Sequence, residues 1–416
     1  METDLSSSPV VFDRRQVYRP FLERLNPIAS SRDLIEHDLI VHRDHDPHDA
    51  DEAPIHVAFA DAAELSRGMQ MALVGGIGSG KTTELLLTRQ VLGRHSDAVT
   101  IFVDLAESTD LGELNTGAIL ATVGMQLYIF QKTGDKRPTD DITRAHKKLC
   151  ELALGKTIWV DPSEPSFPQE PDGVPVDVPG LMRLRFPALL REVSEIRELL
   201  LTIVAPLLER DYQITLLIDG LDRLIRVERF RQFAEQDLQA LRGTKMTVIV
   251  AAPLMLWYDK SRFLQDYFDL VKHLPAAAAD PSDSAFLKQV LERRGALELM
   301  DRAEVASIAK YSGGVLRDLL TLARSAAEYA YRDAQDRIGR KHVLAAIKQL
   351  GNRYLAGLGT THMYLLRQLA TKKAFSIEDP TSLELLVNRQ VLEYFGRGGE
   401  FFAVHPALAR LLPKPA

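Results

Sequence analysis

The sequence predicts an α/β fold built on a parallel sheet, and three observations predict it. An apolar strand at Met71 to Val74 runs into a glycine-rich turn and then into a helix. Val99 to Leu105 is a β-branched run of the kind that strands buried on both faces require. Ile214 to Asp219 is a second such run, and it ends on a carboxylate. Strands alternating with helices in this way form a parallel sheet with right-handed crossovers. With 416 residues, 46% hydrophobic and 26% charged, the chain can bury substantial cores and divides into two or three domains.

The turn after the first strand carries the most specific signal. Gly75, four intervening residues, then Gly80, Lys81 and Thr82 match the Walker A phosphate loop in its strand-turn-helix setting. Glycines let successive backbone N–H groups converge on phosphate oxygens, and the following helix turns the positive end of its dipole to the same anion. Gly75, Gly76, Ile77, Gly78, Ser79, Gly80, Lys81, Thr82 and Thr83 are therefore the expected cradle for the phosphates of ATP. Lys81 should reach the outer phosphates as a point charge, and the Thr82 hydroxyl is placed to ligate Mg²⁺.

The flanking sequence bounds the rest. Residues 1–54 read as a partly flexible extension with only short ordered pieces. Within it, His42-Arg-Asp-His-Asp-Pro-His48 could bind a metal or serve as a solvated connector. The N-terminus lacks the pattern of a signal peptide and no apolar run is long enough to cross a bilayer, so a cytoplasmic location is expected. Cys150 is the one cysteine and reads as a small core residue. A net charge of −6 argues against nonspecific nucleic-acid binding by the chain as a whole. Helices are predicted at Ala58 to Arg67, Thr83 to Leu92, Leu114 to Phe130 and Leu189 to Glu209. Between the last two, residues 131–180 form a proline-rich surface insertion with one helix near Asp141 to Leu154.

Ile214-Thr-Leu-Leu-Ile-Asp219 has the Walker B form, an apolar strand, able to lie beside the first, that carries Asp219 to the phosphate site to hold Mg²⁺. The next strand, Lys245 to Ala252, ends on Ala251-Ala-Pro253 without a polar side chain. Trp257 to Phe268 is amphipathic and leads to a further strand at Leu270 to Leu274.

Leu217-Ile-Asp-Gly-Leu-Asp222 resembles the Walker B segment of STAND-type ATPases, notably the NACHT branch, which are relatives of the AAA+ ATPases used as signalling switches. The resemblance implies a P-loop NTPase core of the ASCE type over residues 55–280, a helical lid over 281–356 and a C-terminal winged helix over 357–416. It also implies roles for particular residues. Gly220 stands where an AAA+ enzyme has its catalytic Glu, which leaves Asp222 as the candidate to orient the attacking water and implies slow hydrolysis. Arg262 lies in the connection from which related oligomeric ATPases donate an arginine finger, though a solvated surface Arg would read the same way. Ser312-Gly-Gly-Val-Leu-Arg317 is similar to the sensor 2 segment of the lid, with Arg317 reaching the γ-phosphate or lying on the helix surface.

Beyond the lid, helices at Thr361 to Ala370 and Thr381 to Val387 precede a hairpin, Val391 to Phe395 and Glu400 to Val404, joined by Gly396-Arg-Gly-Gly399. In the candidate recognition helix only Asn388, Arg389 and the wing residue Arg397 suit base reading, so this module is expected to pack on protein more than on DNA. His405 aligns with the histidine that faces the β-phosphate of ADP in STAND proteins, although Pro406 replaces the usual Asp; a capping His before an N1 proline fits equally. The expected function is an ATP-binding, slowly hydrolysing switch that forms a homo-oligomer or acts on a separate effector, as in bacterial signalling or antiphage defence. The alternative is a DNA-binding AAA+ ATPase, origin-recognition-like or a transposition helper, that uses the winged helix.

Overall fold

The computed structural model describes residues 13–27, 31–43, 53–105, 111, 114–133, 138–154, 193–224, 226–277, 284–396 and 399–412. Most of the proline-rich insertion, most of the His42 to His48 stretch and Arg397 lie outside the described residues. The chain divides into two compact units, residues 49–274 and the remainder on either side.

Two helices precede the first of these units in the chain, α1 (Arg14–Arg24) and α2 (Ser31–Glu36). The unit itself then runs α3 (Ile55–Leu65), β1 (Gln70–Gly75), α4 (Lys81–Leu92), β2 (Ala98–Asp104), α5 (Ala118–Thr133), α6 (Asp140–Leu154), α7 (Val193–Glu209), β3 (Gln213–Asp219), α8 (Val227–Phe233), β4 (Thr247–Pro253), α9 (Phe263–Tyr267) and β5 (Leu270–Leu274). All five strands are parallel, in the order β2-β3-β4-β1-β5. The fold is thus the α/β P-loop NTPase sheet. β4 lies between the loop strand β1 and the Asp219 strand β3, where the sequence allowed them to be neighbours; the interposed strand is the mark of the ASCE type. The apolar runs are continuous because both faces are covered. Met71 and Leu73 pack with α3 and α4, while Ala72 and Val74 turn to the larger core that α5, α6 and α7 enclose.

A polar contact that sequence patterning does not show fixes one of these helices. Asp237, in a π-turn at Ala234–Leu238, is fully buried and accepts from the backbone N–H groups of Gly117 at 2.9 Å and Ile119 at 3.2 Å. It therefore caps α5 from another part of the chain. Burial pushes its carboxyl up to about 7 against those hydrogen bonds.

The second unit contains α1, α2, α10 (Ser284–Glu292), α11 (Ala296–Leu299), α12 (Arg302–Tyr311), α13 (Leu316–Arg332) and α14 (Arg340–Leu355). α15 (Thr360–Lys372), α16 (Pro380–Val387), the antiparallel hairpin β6 (Val391–Gly396) and β7 (Gly399–Val404), and α17 (Pro406–Ala409) follow. α1 is a full helix despite Pro20, because Asp13 caps it and Tyr18 and Phe21 are buried. Arg294 ties both N-terminal helices down: its buried guanidinium donates to the carbonyls of Arg24 at 3.1 Å, Leu39 at 3.2 Å and Val290 at 2.9 Å.

Gly314 is a tight point of this unit. Its φ is +80°, and a Cβ there would overlap the carbonyl of Ala277, whose N–H donates to Gly314 O at 3.1 Å. Gly314→Ala should therefore destabilise the unit by at least about 3 kcal/mol, the sum of a left-handed backbone penalty and overpacking. Urea unfolding followed by circular dichroism measures this, and a loss below about 1 kcal/mol would contradict the contact.

Candidate phosphate-binding site

β1 is buried along its whole length and delivers the chain to the carboxyl edge of the sheet, where the loop begins. Gly75 cannot carry a side chain, since a Cβ would lie 2.5 Å from Leu274 O and 2.9 Å from Ser79 Oγ. Gly78 at φ +85° and Gly80 at φ +113° take left-handed backbone that turns the loop into α4. Glu84 N–H gives the first backbone bond of that helix, to Gly80 O at 3.1 Å. The N–H groups of Lys81, Thr82 and Thr83 accordingly have no acceptor within the helix and face out of its end.

The side chains converge on the same place. Lys81 Nζ donates to Gly75 O and Gly76 O at 2.8 Å each, and pairs with Asp222 Oδ2 at 2.9 Å. This pair is enclosed, the Lys81 side chain being 3% exposed and that of Asp222 7%. Thr82 Oγ1 donates to Asp219 Oδ2 at 2.5 Å, while Asp219 Oδ1 accepts from Gly220 N–H at 2.8 Å. Gly220 makes that last bond possible by turning at φ +91°.

The electrostatics are unbalanced toward the negative. Burial pushes Asp219 up to about 6, and the charges of Asp222 and Asp104 add to it, while the bonds from Thr82 and Gly220 act the other way. Asp104 is the residue that sequence reasoning missed as a site member. It ends β2 in register with Asp219 and is buried. The available signal was that two strands of the sheet end on Asp, at 104 and at 219.

The group implied by the loop fits the residues present. Ser79 Oγ and Asp222 Oδ1 are buried side-chain oxygens without a hydrogen-bond partner. Both belong to the segments that meet at Lys81, and buried polar atoms are seldom left unpaired. Lys81 is meanwhile folded back onto two loop carbonyls and a carboxylate, and the two neutral carbonyl contacts are ones that a phosphate oxygen can replace with a stronger charge-assisted bond. Thr82 and Asp219 already touch, so they can share one small cation, which typically takes one or two carboxylates with phosphate and water.

The remaining predicted residues belong to other segments of the chain. Arg262 is exposed at the N-cap of α9 with φ +58°. Arg317 is half-buried in the first turn of α13, in the other unit. His405 is fully buried in that unit, where Nδ1 accepts from Ala407 N–H at 3.2 Å and caps α17. Its Nε2 faces Asp318 Oδ2 at 3.4 Å, and its ring lies 4.6 Å from that of Tyr354. Asp318 also accepts from Tyr354 OH at 2.5 Å and pairs with Arg389 at 3.2 Å. Burial would raise the Asp318 carboxyl, but His405, Arg389 and Tyr354 together hold it below the usual carboxylate range. Arg389, one of the three residues offered for base reading, is thereby engaged inside its own unit.

No family model matches the chain, and no curated protein matches it either. Several solved structures follow a similar course. That of Drosophila ORC bound to DNA is 13% identical at a TM-score of 0.41, with 100% of this chain and 95% of that chain covered. Cdc6p from Pyrobaculum aerophilum is 11% identical at 0.39, covering 99% and 96%. The RuvB Holliday junction branch migration motor of Thermotoga maritima is 15% identical at 0.39, covering 86% and 93%.

Proposed function

We propose that the loop at residues 75–83 binds ATP with Mg²⁺ and that the chain hydrolyses it slowly. The observation that carries this reading is the convergence of Lys81, Thr82, Asp219 and Asp222 at one helix N-terminus. Mg²⁺ held by Thr82 and Asp219 would offset the charge that builds on the phosphates during transfer. Slow turnover is expected because Gly220 supplies no carboxylate and β4 ends on Ala251-Ala-Pro253, with no polar side chain to sense the phosphate. Among the described residues no helix is long and apolar enough to cross a membrane.

The family resemblance supports a nucleotide-controlled switch with a helical lid over residues 281–356 and a winged helix over 357–416. In this reading Arg317 favours the ATP state, Arg262 is presented to a neighbouring copy, and His405, buried against Asp318 and Tyr354, favours the ADP state through the packing of its own unit. A place in antiphage defence is carried by the resemblance alone. A second reading, in which the C-terminal module grips duplex DNA, is favoured by α15 and its C-cap, where Arg367, Lys372 and Lys373 are exposed and Tyr364 is 59% exposed.

Mass photometry with ADP, with ATP, and with ATP plus duplex DNA separates these outputs. ATP-dependent assembly without DNA supports the switch, whereas assembly only on DNA supports the second reading. Arg317→Ala should remain in the ADP-like state when given ATP, and His405→Ala should assemble without a stimulus. Couplings of this kind run to about 1–3 kcal/mol, so each variant should shift the ratio of states by roughly five- to 150-fold. Sedimentation of both in ADP and in ATP checks it, and wild-type behaviour of both would refute the two-residue switch.

A further inference from the structure

Asp104 stands at the carboxyl edge of the sheet, the same edge from which the phosphate loop springs, because β2 and β3 are parallel and in register through Asp104 and Asp219. Neighbouring strands are about 4.8 Å apart, so Asp104 sits roughly one strand spacing beyond the carboxylate that holds Thr82. It is 9% exposed, sheltered from bulk water, and close enough to Asp219 to raise its pKa. Asp222, the acid that the sequence offers for the same work, has Oδ2 held by Lys81 at 2.9 Å and Oδ1 buried without a partner. Its position serves the lysine. Gly220, at the place where the resemblance implies a catalytic acid, has no side chain.

We propose that Asp104 orients the water that attacks the γ-phosphorus of ATP, while Asp222 is the counter-charge that holds Lys81 until phosphate arrives. This rests on the reading of the loop as an ATP site. In-line attack requires the water on the far side of the γ-phosphorus from the leaving oxygen, and so away from the loop that grips the inner phosphates. A carboxylate set farther across the sheet from β1 than Asp219 meets that requirement. Attack forms the bond from water oxygen to γ-phosphorus and breaks the bond to the bridging oxygen, whose electron pair leaves with ADP. The proton released by the water passes to Asp104 and then to the phosphate product, so the carboxylate is regenerated.

The test measures ATP affinity by calorimetry and phosphate release in the whole protein and in three variants. Asp104→Asn should hold the dissociation constant within about twofold and lower kcat by about 100-fold, the scale of a lost general base. Asp104→Glu should recover part of that loss. Asp222→Asn should bind ATP more tightly, because Lys81 is no longer held by a competing charge, and should lose less than about fivefold in kcat. The proposal is overturned if Asp104→Asn turns over ATP within about threefold of wild type, if it loses affinity in step with turnover, or if Asp222→Asn takes the larger loss in kcat. Wild-type protein that binds ATP without any turnover would leave the binding site standing and remove this role for Asp104. Absence of binding would remove both.

Discussion

Lys81→Ala is expected to weaken ATP binding by at least about tenfold, or about 1.4 kcal/mol. The ammonium is enclosed by Gly75 O, Gly76 O and Asp222, so its place is fixed before any ligand arrives. Deleting it removes a cation in contact with two loop carbonyls and leaves Asp222 buried without its partner, beside Asp219. Incoming phosphates then meet uncompensated carboxylates. Lys81→Arg should restore little, because a planar fork does not replace a compact point charge in a slot shaped by two carbonyls and a carboxylate. Calorimetry with ATP and Mg²⁺ decides the matter, and unchanged affinity in Lys81→Ala would refute the phosphate-loop assignment.

Asp219→Asn should abolish most Mg²⁺-dependent hydrolysis, by about 100-fold or more, while costing far less in nucleotide binding. The loop amides and Lys81 are untouched by the change, but the carboxylate charge that accepts from Thr82 and would hold the metal is gone. The same substitution should raise the melting temperature of the nucleotide-free protein near pH 7. Burial and the neighbouring carboxylates push Asp219 up to about 6, so the folded state retains its proton to higher pH than the unfolded state does. The ionised carboxylate therefore costs stability above about pH 6, and that cost fades as pH falls toward the ordinary carboxylate range. An amide carries no such cost. Equal losses of binding and hydrolysis, or a lower melting temperature that persists at pH 7 and at pH 5, would contradict the assignment.

Much of this site was legible because its parts are local in the chain. The order Gly75 to Thr83 encodes its own geometry, since left-handed turns at Gly78 and Gly80 and a helix starting at Lys81 need only neighbours in sequence. Asp219 was legible for a related reason, an apolar strand having one exit at its carboxyl edge. Strand and helix boundaries followed the same logic to within a few residues, as with β1 at Gln70–Gly75 against the expected Met71 to Val74.

What the sequence determined by itself was the parallel α/β class, the glycine-rich loop at residues 75–83 and the carboxylate that faces it, because hydrophobic periodicity and glycine placement act over a few residues. The tertiary structure alone decided that β4 separates β1 from β3, that Asp104 comes into register with Asp219, and that Asp237 caps a helix about 120 residues away. It alone placed His405 against Asp318 within a buried polar cluster. The last two pair a polar group with a partner remote in the chain. Such pairings are set by which backbone and carboxylate groups must be satisfied once water is excluded, and no local pattern records that requirement.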